Sequence, residues 1–528
     1  MRKPNPLAEP DRLDRDTLLP SNARKHEEHM NQASITLIPH PSAPRRNRIL
    51  TLAICCMLPM LAQAAVPAAT PLSAPAAETT ASLSGMAVDT LPPEVTARID
   101  GVARAVMAER GFPSVSVAVV DHGQMVYTHA YGMAQIDPAI PATAAMRYSI
   151  GSISKQFTAA AILILRQQGR LHLSDPVGKY IPGLTEGDKV TIRQVLSHTS
   201  GYQDYWPEDY LMQPMEQPTT AQAILDRWAR KPLDFAPGTQ WQYSNTNYVI
   251  AGRIVETITG QPLMQFLTQN IFHPLGMRSV WDSDETSLTH ADATPYVRAA
   301  LGPLRVAPHE GRGWMFAAGE LAMTPHDLAL WDMSLIHRSL LQPESYQQMF
   351  TAVRLKDGSD TGYGLGIEVS HRGGHLTLEH SGEVTGFVSD NLVLPDQQIA
   401  VAAVTNHMAG GASEVARLVA DVLTGTSSLT PVEQRTLAIY RGLQHGQIDR
   451  SQLSSNLNAY FSAQTVQDFA TSLAPLGEPL RFHQTHSELR GGMTFRSFLI
   501  EYPTRRLSLS TYTYPDGKLE QFLVDPLQ

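Results

Sequence analysis

Ser152-Ile153-Ser154-Lys155 opens an apolar stretch that runs to Gln168 and stops at Gly169. Side chains three apart on a helix share a face, so the Ser152 hydroxyl and the Lys155 amine can meet. A lysine taken out of water has a lowered pKa, and its neutral form can accept the serine proton. The helix N-terminus favours the negative charge that develops there. Of eight lysines, only Lys155 has a serine three residues before it. A capping serine followed by a surface lysine has the same spelling, and the pair alone does not separate the two.

Two later clusters could join this pair. Tyr243-Ser244-Asn245 follows Pro237-Gly238-Thr239 and is the only Tyr-x-Asn among 17 tyrosines. A phenol can shuttle a proton when neighbouring cations lower its pKa. An amide such as Asn245 can hold a substrate carbonyl and a lysine together. A plain turn also accounts for Ser and Asn at this place. His380-Ser381-Gly382 ends a strand-like run and is followed by Glu383. A glycine at a strand edge admits a substrate backbone, and N–H groups there can face an oxyanion. A hairpin loop is the alternative.

These clusters need a scaffold, and the hydropathy pattern supplies one. A helix is expected after Leu91-Pro92-Pro93, then a β-hairpin over Ser114–Val120 and Gln124–Tyr131 around Asp121-His122-Gly123. Strand-like runs return at Gly362–His371, His375–Glu379, Gly386–Leu394 and Ile399–Thr405, and a helix closes the region at Gly411–Leu423. Between the two strand regions the pattern is helical, at Ser154–Gln168, Ile192–His198, Ala221–Arg230, Thr246–Thr259 and Pro325–Ile336. An α+β fold follows: an antiparallel sheet made from both ends of the region, flanked by helices, with an all-helical insert. After Gly425-Thr426-Ser427-Ser428 come further helices and then four strand-like runs with a turn at Pro515-Asp516-Gly517. This is a small separate α+β domain whose element order is similar to cone-shaped nuclear-transport-factor or cystatin-like domains. It either covers the cleft or is a passive appendage.

The 528 residues suit two or three domains, and 43% hydrophobic with 17% charged residues excludes a disordered chain. A net charge of −9 without a basic stripe argues against nucleic-acid binding. The two cysteines, Cys55 and Cys56, are adjacent, so no disulfide framework exists. They lie in Ile49–Val66, an apolar run that follows Arg45, Arg46 and Arg48 and contains Ala62-Gln63-Ala64. This is the pattern of a cleavable secretory signal, cut after Ala64, and it implies a periplasmic or secreted protein. Pro59 and Gln63 interrupt the run, which argues against a membrane anchor. The expected domains are therefore 1–64 (extension and signal), 65–91 (a linker rich in Ala, Pro, Ser and Thr), 92–425 and 429–528.

Taken together, the motifs resemble the serine β-lactamase and penicillin-binding family, and within it the branch of class C β-lactamases, D-alanyl-D-alanine carboxypeptidases, D-aminopeptidases and related esterases. Further segments carry the likeness: Leu196-Ser197-His198-Thr199-Ser200-Gly201-Tyr202, Pro237 to Asn245, Pro274-Leu275-Gly276-Met277, and Ala318-Gly319-Glu320-Leu321 with Pro325 to Ala329. The resemblance implies that Ser152 is the acylated nucleophile, Lys155 its base or proton relay, and Tyr243 an assistant to the leaving group. It implies that Asn245, His380, Ser381, Gly382 and Glu383 bind substrate, with the N–H groups of Ser152 and Glu383 as the oxyanion hole. The implied protein is an exported serine hydrolase acting on an amide or ester (a D-amino-acid peptide, an ester or a β-lactam-like substrate), without metal or other cofactor. A small molecule or short peptide is its partner, with cell-wall peptides among the candidates.

One departure narrows this. Many relatives have a lysine where His380 stands, and that lysine supplies a positive charge for a substrate carboxylate. A histidine is mostly neutral at pH 7, which disfavours a true β-lactamase or D-alanyl-D-alanine carboxypeptidase. A non-catalytic penicillin or wall-peptide sensor is the third reading. His371, His375 and His380 do not share one strand face, so a metal site is not expected. Trp206, Trp241 and Trp314 are candidates for the cleft wall.

Overall fold

The computed structural model describes residues 88–528 apart from 209, 373, 426–428, 503, 504 and 528. The signal-like run and nearly all of the linker lie outside the described residues. The last linker residues already pair: Thr90 N–H donates to Val126 O, and Thr128 N–H to Val88 O.

The main sheet has seven strands. Their order is Ile140–Pro141, Gln124–Gln135, Ser114–Asp121, Ile399–Thr405, Phe387–Leu394, His375–Val384 and Glu368–Arg372. Every neighbouring pair is antiparallel. The early hairpin joins the late strands through Val115 opposite Thr405 and Val120 opposite Ala400. Both ends of the region therefore build one sheet, as the strand pattern implies. Alternation sorts its residues into two cores. Val117 and Val119 face the helices Pro93–Arg110 and Ala412–Thr424. Ala118, Val120 and Ala402 face the helical layer that carries Ser154–Gln167.

Ser154–Gln167 is apolar around most of its circumference, and such a helix is stable only inside a core. Gln156 ties it to the sheet, donating to Asn391 Oδ1 at 2.7 Å and accepting from Trp331 Nε1 at 2.6 Å. The insert is mainly helical, with two short sheets set into it: Tyr148–Ser149, Leu321–Met323 and Trp281–Asp282 in one, Tyr296–Val297 and Arg305–Val306 in the other. Their strands are two or three residues long, too short for a period-two pattern to show. The helix expected over Ala221–Arg230 is regular only over Ala221–Ile224 and widens into a π turn at Leu225–Ala229.

The C-terminal domain is a four-stranded antiparallel meander, Arg481–Arg490, Met493–Tyr502, Arg505–Thr513 and Leu519–Leu527, packed on Pro431–Gln444 and Ala463–Leu473 around its own core. It docks on the two outer helices of the main sheet. Arg481 bridges Glu109 and Glu414, and Leu480 packs against Gly101. This is the sheet face opposite the Ser152 helix, so the domain does not cover the cleft. Among the described residues, no helix is long and apolar enough to cross a membrane.

Candidate active site

Ser152 sits in a tight turn, Gly151–Ile153, that leads into the helix beginning at Ser154. The turn is pressed onto the strand His375–Val384. Gly151 takes φ +50°, and a Cβ there would lie 2.7 Å from Glu383 N. A Cβ on Gly382 would lie 1.9 Å from the Ile150 carbonyl oxygen. Two glycines thus bring the Ser152 turn and the Glu383 backbone together, a contact that no side chain would permit.

The alternative reading of the Ser/Lys pair does not hold. Ser152 caps nothing, and Lys155 is fully buried. Lys155 Nζ lies 2.8 Å from Ser152 Oγ and donates to Ala318 O at 2.7 Å. The Tyr243 and Tyr248 rings lie 5.0 and 5.6 Å from it. Burial lowers its pKa to about 7, against an opposing pull from Asp204. Close to neutral pH, a large fraction of this amine is therefore free to take a proton.

Tyr243 faces Ser152, which opposes part of the upward shift of its phenol. Burial drives its pKa well above the ordinary phenol value. This reverses the expectation that cations would lower it: burial dominates, and the Asp204 and Glu368 carboxylates push the same way. Tyr243 is a proton donor here, not a resident phenolate. His198 stacks on it at 4.2 Å between ring centroids. His198 Nδ1 accepts the Ser244 N–H at 3.2 Å, which fixes the turn that presents Tyr243. Asn245 does not reach Lys155. Its backbone N–H and side-chain amide go to Asp204, at 2.9 and 3.3 Å.

The strand His375–Val384 runs straight through His380-Ser381-Gly382, so this segment is neither a strand end nor a hairpin loop. Exposure alternates along it, with Ser381 and Glu383 outward and Gly382 buried. His380 is buried. Its Nδ1 lies 2.6 Å from Ser381 O, and its Nε2 lies 2.8 Å from the Tyr363 hydroxyl. A carbonyl only accepts, so the proton is on Nδ1 and Nε2 accepts from Tyr363. Burial and the Lys155 charge lower its pKa to about 3. His380 is thus neutral, has both ring nitrogens partnered, and is not part of the cleft wall. His371 and His375 are exposed at the neighbouring hairpin, away from it.

The cleft over Ser152 has a volume of about 580 Å³. Trp206, Tyr210 and Trp241 give it an aromatic side, whereas Trp314 is buried between Tyr205 and Trp228. Asp204, Glu208 and Glu383 also line it, and no lysine or arginine does among the described residues. Glu208 Oε2 is enclosed and has no hydrogen-bond partner among the described residues. Asp204 and Glu208 escaped the sequence reading. They follow the Leu196–Tyr202 segment closely, but only the fold turns them toward Ser152.

The family model described as Beta-lactamase matches residues 99–425. A D-aminopeptidase of Brucella anthropi is 28% identical over 337 residues, 63% of this chain and 63% of that protein. Penicillin-binding protein 4* of Bacillus subtilis is 28% identical over 293 residues, 52% of this chain and 63% of that protein. The matched part is thus less than two thirds of either relative. Among solved structures, a D-stereospecific amidohydrolase from Streptomyces sp. is similar with a TM-score of 0.56 and 27% identity, covering 63% of this chain and 100% of that one. An octameric penicillin-binding protein homologue from Pyrococcus abyssi shares the fold with a TM-score of 0.59 at 21% identity, covering 81% of this chain and 99% of that one.

Proposed function

This chain belongs to the Beta-lactamase family, and we propose that it is an exported serine hydrolase that cleaves amides whose acyl part carries a free, positively charged amine. The observation that carries this reading is the charge of the cleft: three carboxylates line it, and His380 beneath it is neutral. Two unit charges at about 4 Å and an effective dielectric near 20 interact by about 4 kcal/mol, on the order of a thousandfold in affinity. An ammonium gains that attraction from Glu208 or Glu383, and less from Asp204, whose carboxyl burial pushes up. A carboxylate, as in β-lactams or a C-terminal D-alanine, meets repulsion instead. The D-aminopeptidase and D-stereospecific amidohydrolase among the similar proteins support the same class, and with it a D-configured acyl residue. The apolar run at residues 49–66 supports export to the periplasm or beyond.

The chemistry follows from the contacts. Neutral Lys155 takes the Ser152 proton as Oγ attacks the carbonyl carbon. The oxyanion is held by the N–H groups of Ser152 and Glu383, which Gly151 and Gly382 bring together; one such donor is worth about 3 kcal/mol of barrier. The proton passes through Tyr243 to the departing amine. Water then enters, gives its proton back along the same path, and releases the acid from Ser152.

The test uses the full chain with D-alanine p-nitroanilide, its N-acetylated form and nitrocefin. The free amine should be preferred by about a hundredfold or more over the acetylated form, with nitrocefin slower still. Equal rates with and without the acetyl group, or nitrocefin as the best substrate, would reject the reading.

A further inference from the structure

Beyond the catalytic cleft lies a second chamber of about 440 Å³. Met315, Val384 and Thr385 line both spaces, so the two meet at this wall. The chemistry changes across it. The cleft has an aromatic side, whereas the chamber sets hydroxyls and imidazoles, among them Ser283, Thr289, His290 and His309, into an apolar lining that includes Leu288 and Phe387.

Thr385 stands at the passage and is only 7% exposed. Its backbone N–H donates to Glu310 Oε1 at 2.8 Å. Its hydroxyl oxygen is enclosed and has no hydrogen-bond partner among the described residues. A buried hydroxyl left unpaired is costly, and a ligand group that pairs with it recovers that cost. Tyr243 serves the leaving amine, so the wall of Met315, Val384 and Thr385 is left to the acyl group.

We propose that this chamber is a second acyl-side subsite, which takes a long neutral side chain ending in an amide or hydroxyl, with Thr385 Oγ1 as its hydrogen-bonding contact at the entrance. The inference rests on the reading of the cleft as the acylation site of an aminoacyl amide. An apolar chain of equal length leaves the Thr385 hydroxyl unpaired. A carboxylate chain meets Glu310. Sites built to hydrogen-bond a substrate group discriminate strongly against analogues that lack it.

The experiment compares p-nitroanilides of D-alanine, D-glutamine and D-methionine on the full chain. The glutamine and methionine side chains have nearly equal length, and only glutamine ends in an amide. The expected kcat/KM is about tenfold higher for D-glutamine than for D-methionine. Ser287→Trp, at an exposed serine of the chamber wall, fills the chamber and brings this ratio to near one. Thr385→Val, which keeps the shape and removes the hydroxyl, lowers it as well. The ratio is the readout, because a general loss of activity does not move it. A native ratio within twofold of one, or a ratio that either substitution leaves intact, overturns the subsite. If none of the three substrates is hydrolysed, the reading of the cleft falls and the subsite with it.

Discussion

The cleft and the C-terminal domain put their polar groups to opposite uses. Around Ser152, polar groups are buried where folding alone would not place them. Lys155 has lost its water, His380 is held neutral, and His198 Nε2 has no hydrogen-bond partner among the described residues. In the C-terminal domain the interior is conventional, with Phe482 stacked on Phe498 and Leu509 and Phe522 fully enclosed. Its two buried glutamates are paired, Glu433 with Thr430 and the Gln484 N–H and Glu501 with Arg481 and Arg506, and Arg481 fastens the domain to Glu109 and Glu414. Sites that break the ordinary rules of burial are where chemistry is expected, and regions that obey them contribute stability.

Substitutions should separate the two regions. Ser152→Ala removes the nucleophile and should lower kcat on the order of 10⁴ to 10⁶-fold, with the melting temperature unchanged. Retained activity would end the comparison at once.

Lys155→Met should also cost roughly a thousandfold or more in kcat, through loss of the proton acceptor. Its effect on stability has the opposite sign. The Lys155 amine sits at about 7 in the fold against 10.5 in the open chain. Below pH 7 both states are protonated, and burying the charge costs the native protein roughly 5 kcal/mol. The cost shrinks as pH rises toward 10.5. Lys155→Met should therefore be at least as stable as the native chain at pH 7, and denaturant unfolding should show the difference narrowing toward pH 10. In the native enzyme, kcat/KM should rise with pH through a limb near 7 as Lys155 loses its proton.

Tyr363→Phe removes the donor to His380 Nε2 and leaves that nitrogen buried and unpaired. The strand edge at Ser381–Glu383 then loses its brace. The expected loss is about tenfold in kcat with KM within twofold, a pattern that general misfolding does not produce. Arg481→Ala should have the smallest effect on turnover, with kcat/KM within twofold. The loss of its ion pairs with Glu109, Glu414 and Glu501 should cost stability by about 1–2 kcal/mol. A matching fall in kcat would show that the domain takes part in the reaction.

Much of this was legible in the sequence, for physical reasons. Ser152 and Lys155 are joined by helix geometry alone, and three-residue spacing encodes it. Long strands and helices show their periods, which is why the hairpin at Ser114–Gln135 and the helix at Asn245–Thr259 lie within a few residues of expectation. The rest depends on contacts far apart in the chain. His380 meets Tyr363 across 17 residues and Lys155 meets the Ala318 carbonyl across 163, and no local pattern encodes either. The sign of the Tyr243 shift needed the burial of its surroundings, and spacing does not report burial. Asp204 and Glu208 carry no motif, so their place at the cleft appears only in three dimensions.

The central claim is that Ser152 is acylated by an amine-bearing acyl group. It is tested most directly by quenching the full chain during turnover of D-alanine p-nitroanilide and reading its intact mass, with peptide mapping of the modified site. One added alanyl group on Ser152, absent from Ser152→Ala, is the expected result. Turnover without any adduct, together with activity that survives Ser152→Ala, would contradict the account.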